Sequence, residues 1–159
     1  MRDLSNNIVP ANSLINAVKT AGANGTGVDL QGYESAMIVV SVGAEGDTLA
    51  ANLNFQISLE HSDDNSTFTD TVQADIIDGT IAAGGIFLIL DGTGTAGSAS
   101  GNPHTAGGTW WIGYVGGKRY VRVVIAKTGT HSTGTPISAL VLKGNARSSG
   151  DNANVTHNV

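Results

Sequence analysis

The 159-residue chain is long enough for one domain, which at this size buries roughly 70% of its unfolded surface, and it calls for no second one. Charged residues make up 13%, about half the usual share of about 25%, and the net charge of −5 with only eight scattered Lys and Arg argues against a nucleic-acid partner. Cysteine is absent, so there is no disulfide framework, and no apolar run approaches the roughly 18 residues of a membrane-spanning helix.

The opening MRDLSNNIVPANS has no apolar stretch of the signal-peptide kind, so the expectation is a soluble protein made in a cytoplasm. Residues 1–13 are polar, with Leu4, Ile8, Val9 and Pro10 as isolated apolar points and Pro10 holding Val9 extended. They read as an extended N-terminal arm, with Ile8-Val9-Pro10 more apolar than a free tail requires. Residues 14–20 (LINAVKT) would suit one or two helical turns behind Ser13 but are too short to decide. After the turn-rich AGANGTG, residues 35–42 (SAMIVVSV) form a nearly continuous apolar run, which suits a central strand covered on both faces.

The plainest pattern is at residues 52–70. Leu53, Phe55, Ile57 and Leu59 alternate strictly with polar neighbours, giving a strand with one buried and one wet face. Asp63, Asp64, Asn65 and Ser66 supply turn chemistry, and a return strand begins around Phe68. Residues 73–77 and 86–90 (IFLIL) carry further short strands, ended by Asp78-Gly79 and Asp91-Gly92. Residues 93–108 form a long Gly/Ser/Thr-rich loop without a core-forming residue. Trp110 and Trp111 then sit side by side in a strand, so their side chains must point to opposite faces: one fills the core, the other is exposed or meets another chain. Residues 120–126 (YVRVVIA) and 137–143 (ISALVLK) are the last two strands, and residues 148–159 form a polar C-terminal tail.

No segment longer than about ten residues holds a capped 3.6 period, whereas about seven to nine short strands are separated by turn signals. The fold expected over residues 14–147 is therefore all-β, an antiparallel β-sandwich or jelly-roll-like barrel.

Catalytic constellations are missing from the sequence. His61, His104, His131 and His157 stand apart, none with a second His or Cys at zinc spacing, and are expected on the surface. The Asp63-Asp64-Asn65 turn lacks the Gly and Glu of an EF-hand loop, no Ser lies in G-x-S-x-G, and the Gly-rich run from Gly92 is followed by no Lys-Ser or Lys-Thr pair. The expectation is a non-enzyme with no metal and no cofactor.

Taken in order, MRDLSNNI, GTGVDLQGYESAMIVVSVGA, SLEHSDDNSTFTD, and YVGGKRYVRVVIAKTGT followed by ISALVLKGNAR resemble a family of small structural proteins of tailed bacteriophages and prophages. The likeness covers about the first ninety residues and residues 112–147, with residues 86–111 looking like an expansion. It implies a virion component on the capsid surface, most specifically a capsid decoration or cement protein: a trimer that binds the major capsid protein of the expanded head across subunit boundaries, with no membrane or nucleic-acid partner. Leu4, Ile8, Val9, Pro10, Trp110 and Trp111 are the candidate capsid or oligomer contacts. A tail, baseplate or head–tail connector component is the alternative, and a host-surface carbohydrate-binding module using Trp110, Trp111 and Tyr114 is a further one.

Overall fold

The computed structural model describes residues 7–92 and 107–147. Along these residues run eleven strands: β1 (Ile8–Lys19), β2 (Ala23–Asn24), β3 (Val28–Asp29), β4 (Tyr33–Val42), β5 (Asn54–Ser62), β6 (Thr69–Asp70), β7 (Ile76–Ile77), β8 (Ile86–Leu90), β9 (Gly108–Tyr114), β10 (Tyr120–Thr128) and β11 (Thr135–Ala146). The only helical piece among them is a single 3-10 turn at Gln73–Asp75.

The alternation read in residues 52–60 becomes β5, whose Phe55, Ile57 and Leu59 are fully buried while Gln56 and Glu60 lie on the other face. β5 pairs along its whole length with β10, so Ile57 and Leu59 stand beside Ile125 and Val123 on the same buried side. β8 and β6 flank β5 on its far side, and β2 and β3 flank β10, making one six-stranded sheet. The second sheet has the order β1-β11-β4-β9-β7. Every pairing is antiparallel, as the short connections and period-two strands require. Ile38, Val40 and Val42 of β4 meet Ile137, Ala139 and Val141 of β11 on its inner side, and these residues pack with the first sheet's apolar face into one core. The result is an open β-sandwich. The two sheets do not close into a barrel, so of the two expected forms the sandwich holds.

Three local expectations are corrected and one open reading is decided. Of the arm expected over residues 1–13, the part from Ile8 onward belongs to a sheet: Ile8–Lys19 is the outermost strand of the second sheet, paired with β11 from Ile8↔Gly144 to Lys19↔Thr135. Residues 14–20, which the sequence left undecided, are strand as far as Lys19, because pairing with β11 supplies the backbone partners that so short a helix could not. The return strand of the 52–70 hairpin shrinks to Thr69–Asp70, since Phe68 is drawn aside beneath the Arg122 guanidinium, 4.0 Å from its ring. Finally, most of residues 73–77 form the 3-10 turn, and only Ile76–Ile77 join a sheet. Leu4, the loop up to residue 106 and the tail from residue 148 lie outside the described residues.

One bulged residue ties the sheets at their side. The β1–β11 register slips on either side of Leu14, and Ser13 there turns toward β10. Its hydroxyl accepts the Val123 N–H at 2.9 Å and donates to the Thr26 carbonyl at 3.1 Å, while the Thr26 N–H donates to the Ser13 carbonyl at 2.8 Å. Gly25 completes the crossing: any Cβ there would come within 2.6 Å of the Val123 carbonyl oxygen.

Candidate functional site: an uncharged sheet face

Strand periodicity and register decide what the second sheet shows to its surroundings. In β4, Met37, Val39 and Ser41 point away from the core. Register places Val39 between Trp111 and Leu140, Met37 between Gly113 and Leu142, and Ser41 between Thr109 and Ser138. On β1, Asn12 and Pro10 continue the rows of Leu140 and Leu142. Ile77 of β7 lies over Gly113, where its Cγ1 occupies the space that a Cβ would need. The outer face thus carries two apolar rows, Trp111–Val39–Leu140 and Ile77–Met37–Leu142–Pro10, beside a low row of Thr109, Ser41 and Ser138. No residue of these rows is charged. Trp111 is 58% exposed, Ile77 50% and Met37 36%, which is unusual for large apolar groups set next to one another.

The first sheet turns a different face outward. Arg122 and Glu60 sit opposite each other across β10 and β5 and form a half-buried ion pair at 2.7 Å, with Gln56 and Ser58 further along. Register sets Gln56 between Ala126 and Ile89 and Ser58 between Val124 and Ile86, so this outer side mixes a matched ion pair with polar and apolar positions, whereas the rows of the second sheet hold no charge.

The candidate contact residues divide between the two sides of the second sheet. Ile8, Pro10 and Trp111 have the outward parity; Val9 and Trp110 have the inward one, and Trp110 packs against the core with its ring over Gly108. The neighbouring tryptophans therefore point apart, as the strand geometry demands. Tyr114 is buried on the inner side, so Trp110, Trp111 and Tyr114 do not form a common aromatic rim. Sequence reasoning missed Met37, Val39, Leu140 and Leu142. Their signal was present: SAMIVVSV and ISALVLK are apolar at both parities, which means two faces that avoid water.

Two histidines expected on the surface are buried. His131 stacks on Phe55 with ring centroids 3.9 Å apart, and its Nε2 lies 3.3 Å from the Asn54 carbonyl oxygen and 3.2 Å from that of Thr128. Two carbonyl acceptors call for a proton on Nε2, and Nδ1 lies 3.8 Å from an Asp47 oxygen. Asp47 in turn accepts the N–H groups of Gly134 at 2.7 Å, Thr133 at 3.0 Å and Ser132 at 3.2 Å, and these bonds hold its carboxyl below the usual carboxylate range. The pair resembles part of a catalytic triad only in composition. Its imidazole is fully enclosed, and with Asp47 it serves as a latch that ties β5 and the end of β10 to the loop entering β11.

His61 places Nδ1 3.1 Å from the Tyr114 hydroxyl, which also accepts the Lys118 N–H at 3.2 Å; burial pushes the Tyr114 phenol up to about 12. Asp64 spends its Oδ1 on the Thr67 and Ser66 N–H groups and the Ser62 hydroxyl, and those bonds depress its carboxyl strongly. It is a turn cap.

An open cavity of about 480 Å³ lies at one end of the sandwich, between residues 30–36 and 114–119. Its cations Lys118, Arg119 and Arg147 are matched by Asp63, Asp29 and Glu34, so it offers an ionic ligand no excess of either charge. Among the described residues, no group of three His, Cys, Asp or Glu is placed to hold a metal ion. Comparison with protein-family models and with curated proteins finds no match.

Proposed function

We propose that this chain is a non-enzymatic structural subunit of a tailed-phage particle, acting as a capsid decoration protein that binds the expanded head across subunit boundaries. The observation that carries the reading is the apolar, uncharged outer face of the second sheet, built around Trp111, Val39, Met37, Leu140 and Leu142. A subunit that works by being covered needs such a face: burying it against a neighbour releases water from apolar surface and desolvates no charge. Binding only the expanded lattice stabilises that lattice by mass action against the pressure of packaged DNA. The resemblance of the ordered segments MRDLSNNI to ISALVLKGNAR to phage structural proteins supports a phage head as the assembly, and with it the major capsid protein as partner and the capsid surface as location.

Quantitative mass spectrometry of purified particles tests the proposal. A copy number comparable to that of the major capsid protein is the expected result. A few copies per particle would move the chain to the tail or connector, and absence from particles would overturn the virion reading altogether.

A further inference from the structure

We infer that the occupant of the uncharged face is, first of all, a second copy of this chain, packed sheet against sheet about a twofold axis. The inference rests on the reading of this face as a docking surface. It adds the partner and the geometry.

Three observations carry it. The face is covered by nothing within the chain's own described residues, and the segments beyond them are poor in large apolar groups: residues 1–6 offer Met1 and Leu4, residues 93–106 none, and residues 148–159 only Val155 and Val159. These segments hold too few large apolar groups to cover it, which favours a cover from another molecule.

Charge permits a second copy. At a net charge of −5, two copies repel through most approaches, yet a contact made through rows that hold no charge brings no like charges together. The relief of the face then makes it complementary to itself. The ridge Trp111–Val39–Leu140 and the trough Thr109–Ser41–Ser138 span the same three strands, two residues apart. A twofold axis parallel to these rows and midway between them sets each copy's ridge into the other's trough, so that Trp111 lies over Thr109 and Val39 over Ser41 of the second copy.

Size agrees. Four strands at ~4.8 Å spacing and about eight residues at ~3.4 Å rise give a face of ~500 Å², which side-chain relief raises toward the ~800 Å² per partner of a standard interface. Sheets so packed stand ~10 Å apart with their strands roughly aligned, a normal sandwich arrangement.

Sedimentation of the full chain, its Trp111→Asp variant and its Ser41→Arg variant tests the inference. The native chain is expected to be a dimer at ~50 μM, and each variant, one striking the ridge and one the trough, to weaken dimerisation at least ~30-fold with unchanged far-ultraviolet circular dichroism. Gln56→Lys, on the outer side of the other sheet, should leave the dimer intact. Because the chain has no cysteine, oxidising a mixture of Val39→Cys and Ser41→Cys should give a covalent dimer far more readily than either variant alone. A native chain still monomeric at ~100 μM overturns the inference, as does an oligomer that survives both face variants or a cross-link no better in the mixture. The two readings fail separately. A monomer abundant in particles keeps the decoration role and gives the face to the capsid, whereas a dimer absent from particles keeps the interface and removes the virion.

Discussion

Asp47 and Ser13 show how single polar side chains hold an otherwise apolar sandwich in register. Asp47 gathers three consecutive N–H groups of the loop that enters β11, and Gly134 within that loop has φ of 79°, a conformation that glycine adopts without strain. The carboxyl is depressed in the folded chain, so folding favours its ionised form. That stability is present above the unfolded carboxylate value of about 3.9 and is lost as pH falls through the lower folded value. Asp47→Asn is therefore expected to melt lower than the native chain at neutral pH, with the difference closing below about pH 4. Thermal melts of both proteins from neutral to strongly acidic pH measure this; a difference independent of pH would mean that the ionised carboxylate contributes nothing. Neither latch was legible beforehand. Asp47 and Ser132 are 85 positions apart, and Ser13 and Val123 are 110 apart, so only the folded chain brings them together.

β1 is where the sequence misleads most, and where a deletion says most. Its first residues look like a sticky arm, because Pro10 and polar neighbours break the alternation, yet they continue the β11 ladder. Pro10 is tolerated because β1 is the edge strand of its sheet, where a missing N–H can face outward. Removing residues 1–6 should leave the melting temperature within about 2 °C. Removing residues 1–13 strips one side of β11 and leaves the Val123 N–H and Thr26 carbonyl without Ser13, which should lower it by about 10 °C or more. Equal melting of the two truncated chains would return residues 8–13 to the status of an arm. By contrast, β5 and β10 were readable as strands, since Phe55-Ile57-Leu59 and Val121-Val123-Ile125 each alternate with polar or smaller groups. The two-residue pieces β2, β3, β6 and β7 were not, because a pair of residues has no period to read.

Across the molecule, the two sandwich faces differ: one carries the paired Arg122 and Glu60, the other leaves Trp111, Ile77 and Met37 exposed in rows that hold no charge. The adjacent tryptophans report the division. Trp110→Ala removes a ring from the core edge and should cost about 3 kcal/mol, whereas Trp111→Ala should change the stability of the isolated subunit by no more than about 0.5 kcal/mol. Urea melts of the two variants under monomeric conditions make the comparison, and single-tryptophan fluorescence should place Trp111 emission to the red of Trp110. Similar losses in both would mean that Trp111 is covered within the subunit.

The sequence by itself determined the all-β class, the identity of the long strands and the opposed directions of Trp110 and Trp111, because a period of two is a local property written into consecutive residues. It also carried the doubly apolar strands 35–42 and 137–143, whose second face had to avoid water somewhere. Which face that was, and what stood beside it, waited for the tertiary structure. Register set Met37, Val39, Trp111, Leu140 and Leu142 side by side, burial took His61 and His131 inside, and the β1 bulge joined the sheets through Ser13. These are non-local pairings, fixed by the packing of strands distant in sequence, and no run of neighbouring residues encodes them.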